Sequence, residues 1–207
     1  MLDISNFFIY MFSNPLLFAF SLTFFAGIST GIGSILCLLY KKFNPNFLGI
    51  MLGISAGVML YVSFVEILVT AKTSLALRFG EQLGSTYSVI GFFTGILVMI
   101  LIDKILPHHH SPKNEQETTD KKLLRLGIFS AIALSIHNFP EGLATFLTAL
   151  DDPKYGFSIA FAIAIHNIPE GIAVAIPIYY ATKSRKKAFI YSFLSGLTEP
   201  IGALIGY

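Results

Sequence analysis

His137-Asn138-Phe139-Pro140-Glu141-Gly142 and His166-Asn167-Ile168-Pro169-Glu170-Gly171, one hexapeptide pattern repeated after 29 residues, decide how this chain reads. In each copy His and Glu stand at i and i+4, which puts them on one face of a helix. Asn and Glu stand at i and i+3, so the Asn borders the same face. Imidazole nitrogen, carboxylate oxygen and amide oxygen are donors that suit Zn²⁺, Fe²⁺, Mn²⁺ and related divalent ions. Both copies sit inside long apolar runs. Together they point to a metal site within a membrane.

Working outward, composition agrees. Of the 207 residues 54% are hydrophobic and 13% charged, with 20 Phe and no Trp. A soluble domain carries about 25% charged residues, so a soluble globular fold does not fit. One cysteine, Cys37, rules out an intramolecular disulfide, and a net charge of +2 gives no reason to expect nucleic acid. Asp3, with no basic residue before the first apolar run, is the wrong flank for a cleaved signal peptide.

Six stretches are long enough to cross a bilayer, at about 20 apolar residues each: Pro15–Tyr40, Phe47–Thr70, Ser85–Leu106, Leu123–Leu150, Tyr155–Thr182 and Ala188–Tyr207. Asn14-Pro15 is a good helix start, a capping side chain followed by proline at the first position. The segment from Ala71 to Gly84 reads as a mildly amphipathic connection along the interface. Residues 107–122, with His108, His109, His110 and mixed charges, read as a flexible cytoplasmic loop within a single transmembrane domain spanning 1–207. Lys41, Lys42, Lys104, Lys113, Lys121, Lys122, Arg125, Lys183, Arg185, Lys186 and Lys187 fall on one side, against Lys72, Arg78 and Lys154 on the other. The positive-inside rule therefore predicts a multi-pass cell (inner) membrane protein with its N-terminus outside.

The repeat extends beyond the hexapeptides, pairing Ala131 with Ala160, Ile136 with Ile165 and Ala144 with Ala173. Consecutive spans run in opposite directions, so this is an inverted repeat. His137 lies about 14 residues from the inner end of its span, roughly 21 Å, and His166 about 11 from the outer end of its own, roughly 16 Å. In a hydrocarbon core of about 30 Å both fall near the midplane, the pattern of secondary transporters.

The ionisable side chains well inside the spans are Glu66, His137, Glu141, His166, Glu170 and Glu199. Each would cost several kcal/mol against lipid and needs a partner. Interhelical hydrogen bonding is the bland account of the His/Glu pairs, but four partnerless titratable groups at one depth make poor glue. Pro140 and Pro169 free the carbonyls of Ile136 and Ile165 and predict a kink before each Glu. Ser195-Gly196-Leu197-Thr198-Glu199-Pro200 places another carboxylate beside a helix proline. Packed on spans four and five, Glu199 with Asn138 and Asn167 would form a second metal position. It would neighbour a first made of His137, Glu141, His166 and Glu170, with Glu141 and Glu170 shared, as in sites whose metals lie about 3.5–4 Å apart. The bland account of Glu199 is a buried acid bonded to Ser or Thr. Glu66, with Ser63 one turn before it, is either an accessory ligand where ions come in or an interfacial carboxylate, and the His108–His110 triplet either captures metal or only decorates a loop. The glycine rows Gly27/Gly31 and Gly49/Gly53/Gly57 read as packing faces.

These residues resemble the ZIP family of metal-ion transporters, in particular its bacterial ZupT-like zinc transporters. HNFPEG and HNIPEG carry the likeness, with SGLTEPIGA in span six, AGISTGIGS in span one and SAGVMLYVSFVEI in span two. The resemblance implies an all-α polytopic bundle that moves Zn²⁺ into the cytoplasm, with Fe²⁺, Mn²⁺, Co²⁺ or Cd²⁺ as further cargo. It implies His137, Glu141, His166 and Glu170 as primary ligands and Asn138, Asn167 and Glu199 at the second position. The expected partners are the lipid bilayer, the divalent ions and a second copy of the chain; no organic cofactor is expected. Relatives carry eight spans, of which spans one, four, five and six are thought to move against the rest. Six are read here. A subunit that binds metal without independent transport, completed by a separate polypeptide supplying helices seven and eight, is therefore a competing expectation. An intramembrane metal-dependent hydrolase is a third, for which the usual His-Glu-x-x-His spacing is absent.

Cysteines placed at Ser13 and Asp152, in a Cys37→Ser background, are expected to react with an impermeant thiol reagent applied to intact cells. One at Ser111 is expected to stay unlabelled, and its labelling would reverse the orientation.

Overall fold

A computed structural model describes residues 13–39, 45–105 and 118–207; the His108–His110 triplet lies outside them. Their regular structure is helical throughout. Six helices are long and apolar enough to cross a membrane: α1 (Pro15–Leu39), α2 (Asn46–Phe79), α3 (Glu81–Ile105), α4 (Thr119–Asp151), α5 (Pro153–Thr182) and α6 (Arg185–Gly206). This is the all-α, six-span membrane protein that the hydropathy pattern predicts.

Local chemistry sets the ends. Asn14 Oδ1 accepts from the Leu16 and Leu17 amides at 3.1 and 3.2 Å, so the cap before Pro15 forms as expected. Asp152 does the same for α5, accepting from the Lys154 and Tyr155 amides, with Pro153 at the first helical position. Ser184 caps α6 by accepting from the Lys187 amide. Two boundaries differ from the sequence reading: α4 begins at Thr119, so residues 119–122 of the expected 107–122 loop are helical, and the connection between α2 and α3 is shorter than expected. α2 does not end at Thr70 but runs to Phe79, and Gly80 alone, at φ 84°, separates it from α3. Ala71 to Phe79 holds good helix formers and no breaker, and Gly80 is the first residue that takes a positive φ without strain.

Two irregularities matter. Within α2, Val62–Ile67 widens into a π-helical turn in which the Leu68 amide donates to the Ser63 carbonyl. This turn carries Ser63 and Glu66, both half-buried. Such turns are rare and often mark functional positions. α4 and α5 pass through Pro140 and Pro169 without leaving helical conformation, and α5 contains a further Pro177. α6 is interrupted at Leu197. Pro200 cannot donate to the Gly196 carbonyl and its ring crowds that carbonyl.

The chain divides into two compact units. One comprises α1, the start of α2 up to Ala56, and α4, α5 and α6; the other runs from Gly57 to Glu115, where the rest of α2 packs on α3. In the first unit α5 lies against both α1 and α4, and α6 lies against α1, α4 and α5. Its core uses small and β-branched residues such as Ala26, Ala149, Ala160, Val174 and Ile178, with Phe146 as the large exception. Phenylalanines 24, 25, 157 and 161 face outward. Small residues inside and large apolar ones outside is the arrangement of helices that meet lipid.

The closest approaches involve the hexapeptides themselves. A Cβ at Gly142 would strike the Glu199 backbone, and one at Gly171 would strike the Thr30 carbonyl. Reciprocally, a Cβ at Gly202 would strike the Phe139 carbonyl, and one at Gly33 the Ile168 carbonyl. In both repeats, then, the third residue offers its carbonyl to a partner glycine and the sixth is a glycine under partner backbone. The partner is α6 for the first copy and α1 for the second. Of the two glycine rows, Gly27 and Gly31 pack, against Gly196 and Phe193. A Cβ at Gly49, Gly53 or Gly57 would meet nothing within 4 Å among the described residues, so the packing expected of them is not found there.

Gly33→Ala and Gly171→Ala are expected to destabilise the protein by about 1–3 kcal/mol each through overpacking. Gly53→Ala is expected to be neutral or stabilising. Thermal unfolding in detergent reads the difference, and equal effects at all three positions would contradict the close approach.

Candidate metal site

The first unit brings the two hexapeptides face to face. Glu141, on α4, joins them: its carboxylate accepts from His137 Nε2 at 3.2 Å on its own helix and from His166 Nε2 at 3.3 Å on α5. A carboxylate only accepts, so both imidazoles present Nε2–H to it. The three side chains are graded in depth. His137 is 36% exposed, Glu141 13% and His166 not at all. Glu170, one turn beyond His166, lies within electrostatic reach of His166, Glu141 and His137, yet its buried Oε2 has no hydrogen-bond partner. His166 Nδ1 is likewise buried and unpartnered.

Beside this group lies a second. Asn167 Nδ2 donates to the Ala26 carbonyl of α1 at 2.8 Å and to Glu199 Oε1 of α6. Asn138 Nδ2 donates to the Ser195 carbonyl at 3.2 Å, just before the break in α6. That carbonyl also takes the Thr198 hydroxyl, at 2.6 Å. Both amides therefore spend their N–H groups on neighbouring helices and leave their oxygens unpaired. Asn138 Oδ1, Asn167 Oδ1 and Glu199 Oε2 are all buried without a partner, and Glu199 is within electrostatic reach of Glu141 and Glu170.

Unpaired buried acceptors cost about 1–3 kcal/mol each. Here Glu170, Glu199, Asn138 and Asn167 supply four such oxygens in adjoining turns, all of one polarity. Oxygen acceptors without donors are groups that a cation can satisfy. Among the described residues no three His, Cys, Asp or Glu side chains form a ready metal cage. Both Glu141 oxygens accept from imidazole. An ion entering between them has to take the place of those two hydrogen bonds.

The seven residues singled out in the sequence lie on α4, α5 and α6 of this unit, with Glu141 joined to both histidines, Asn167 to Glu199 and Asn138 to the Ser195 carbonyl, whereas Ser63 and Glu66 belong to the other unit. The sequence reading missed the supporting backbone. The Ala26 carbonyl receives Asn167, the Ser195 carbonyl receives Asn138, and Ser192 Oγ bonds the carbonyls of Thr30 and Gly171 at 3.2 and 3.1 Å. Ser55, buried on α2, donates to the His166 carbonyl at 3.1 Å. The signal available was the density of Gly, Ser and Thr through Ala26–Ser34 and Ser192–Thr198, in spans that are otherwise apolar.

A helical membrane bundle with inward carboxylates, imidazoles and unpaired oxygens at mid-helix has the makings of a metal-ion transporter. Comparison with known proteins agrees. Residues 104–207 match the model of the ZIP zinc transporter family. The chain is 58% identical to the zinc transporter ZupT of Chlorobium chlorochromatii over 204 residues, covering 94% of this chain and 76% of that protein. It is 53% identical to the ZupT of Streptococcus mutans, with the same coverage, and 51% identical to that of Clostridium perfringens, covering 94% and 75%. The chain belongs to the ZIP zinc transporter family, whose activity is divalent-metal transport.

Asn167→Asp replaces a double donor by an acceptor facing the Ala26 carbonyl and Glu199. In the presence of chelator this variant is expected to lose about 1–3 kcal/mol of stability, and zinc is expected to restore it. A loss that zinc does not repair would mean that Asn167 serves packing alone.

Proposed function

We propose that this protein carries Zn²⁺ across the membrane into the cytoplasm. On this reading His137, Glu141, His166 and Glu170 hold the ion, and Asn138, Asn167 and Glu199 form an adjoining position. The observation that carries the reading is the buried set of unpaired oxygens on Glu170, Glu199, Asn138 and Asn167 beside the His137–Glu141–His166 triad. The names of the relatives support zinc as cargo. Nitrogen and oxygen donors alone also accept Fe²⁺, Mn²⁺, Co²⁺ and Cd²⁺, with availability deciding among them.

The chemistry of loading follows from the hydrogen bonds. To bind, each imidazole must turn a lone pair rather than a proton toward the ion, and each carboxylate must be ionised. Binding therefore releases protons. Glu141 changes from acceptor for two imidazoles to a ligand between them, and because oxygens at the adjoining position are also unpaired, an ion leaving the first position meets donors rather than hydrocarbon. Passing an ion between weak neighbouring positions suits transport better than a closed cage. Glu66 and Ser63, on the π-helical turn of α2, are accessory positions on this reading. The exposed apolar faces of α2 and α3 then meet lipid or further helices.

Calorimetry on purified protein tests the ligand set. His137→Ala and Glu170→Ala are each expected to weaken zinc binding by more than about 100-fold, since loss of outer-sphere partners alone costs 10- to 100-fold. Affinity is expected to rise with pH between about pH 5 and 7, across the ordinary His range, with measurable proton release. Unchanged binding in both variants would sink the site. Radioactive zinc uptake into proteoliposomes then separates a transporter from a protein that only binds.

A further inference from the structure

The two ends of the unit built on α1, α4, α5 and α6 differ in charge. At one end α4 begins, α5 finishes and α6 begins. A single apolar cluster holds these termini together: Ala131, Ala175, Ile178 and Ala188, with Leu124 and Tyr179 packed against it. Lys183, Arg185, Lys186 and Lys187 occupy the turn from α5 to α6 and the first turn of α6, and all four are exposed. Lys121 and Lys122, also exposed, lie in the opening turns of α4. Asp120 is the one acidic residue in the first turns of α4 and α6. At the other end α4 closes on Asp151 and Asp152 caps α5, with Lys154 as the nearby cation.

None of the four cations of the α5–α6 turn has an ion pair with a carboxylate among the described residues. The ion pairs at mid-helix join His137 and His166 to Glu141. Lys183 lies with its Nζ 5.4 Å from the centre of the Tyr180 ring and takes a left-handed backbone at φ 53°. Arg185, Lys186 and Lys187 stand in the first turn of α6, where the helix dipole is already positive and cations are disfavoured. Their mutual repulsion is therefore uncompensated within these helix ends. Depth identifies what compensates it. α5 has 30 residues, about 45 Å at 1.5 Å per residue, which matches a bilayer with its headgroups at about 40–45 Å. The residue after its last turn lies at phosphate level. Tyr180 and Tyr191, each more than a third exposed, stand on the apolar side of the cations, where interfacial aromatics belong.

We propose that this collar binds the phosphate groups of anionic phospholipids in the leaflet it meets. Lys183, Arg185, Lys186 and Lys187 make the contacts, and Tyr180 and Tyr191 flank the acyl chains. A lipid fits better than a free anion, because the cations are spread over several helix ends at one depth and are backed by apolar surface.

The test is binding of phosphatidylglycerol and of phosphatidylcholine to the full chain in neutral detergent, followed by native mass spectrometry. Wild type is expected to retain phosphatidylglycerol in preference to phosphatidylcholine, and added salt is expected to weaken the preference. The variant Lys183→Gln/Arg185→Gln/Lys186→Gln/Lys187→Gln is expected to bind phosphatidylglycerol at least about tenfold more weakly. Lys154→Gln, at the opposite end, is expected to change nothing. The milder pair Lys186→Gln/Lys187→Gln, expected to give a partial loss, keeps the test valid if the fourfold variant does not fold. Equal retention of the two lipids, or a preference that survives in both neutralised variants, would overturn the proposal. So would full displacement of the lipid by millimolar inorganic phosphate, which would make the collar a simple anion site. Zinc binding measured alongside is expected to be the same in wild type and variants, so the outcome does not depend on the transport reading.

Discussion

Backbone-to-backbone contact at four glycines is the constraint on which the site depends. Ionisable groups inside a membrane protein need walls made of other helices, because hydrocarbon offers them nothing. Ordinary helix packing holds axes about 8–10 Å apart and leaves gaps beside small polar side chains. Gly142 and Gly202 let α4 and α6 touch, and Gly33 and Gly171 let α1 and α5 touch. These contacts bring Asn138 within reach of the Ser195 carbonyl and Asn167 within reach of the Ala26 carbonyl and Glu199. The glycine that closes each hexapeptide is thus as much part of the site as the His and Glu that open its chemistry.

The polar groups divide by what they can donate. His137 and His166 have N–H groups and give them to Glu141, while Asn138 and Asn167 give theirs to backbone and to Glu199. Every donor on this list is used, and several acceptors are left over. The metal binding proposed above rests on that surplus of acceptors. The surplus also gives an ion a graded welcome, with some oxygens vacant and others released when the imidazoles turn.

Much of this was legible in the sequence, for reasons particular to the chemistry. Two His-x-x-x-Glu pairs in apolar runs fix helix faces by spacing alone, and Asn14-Pro15 fixes a helix start. Glu199 was legible because a carboxylate in a span demands a partner. Contacts between backbones were not. The Ala26, Ser195 and His166 carbonyls have no side-chain signature, and Ser55 looks like any small residue in a helix. The π-helical turn around Ser63 and Glu66 has no periodicity to announce it, whereas the break at Leu197 has a local cause in Pro200. The Gly49, Gly53 and Gly57 row shows the opposite failure. Its pattern equals that of Gly27 and Gly31, yet no described residue comes within 4 Å of where its Cβ atoms would lie.

The central claim is that one ion lies between α4 and α5, held by imidazole from both helices and by carboxylate. X-ray absorption at the zinc edge, on purified protein loaded with one equivalent, tests it most directly. The account requires a shell of nitrogen and oxygen at about 2.0–2.2 Å, with outer scattering from two imidazoles that falls to one in the His166→Ala variant. Sulfur in the shell, or a spectrum unmoved by that substitution, would contradict it.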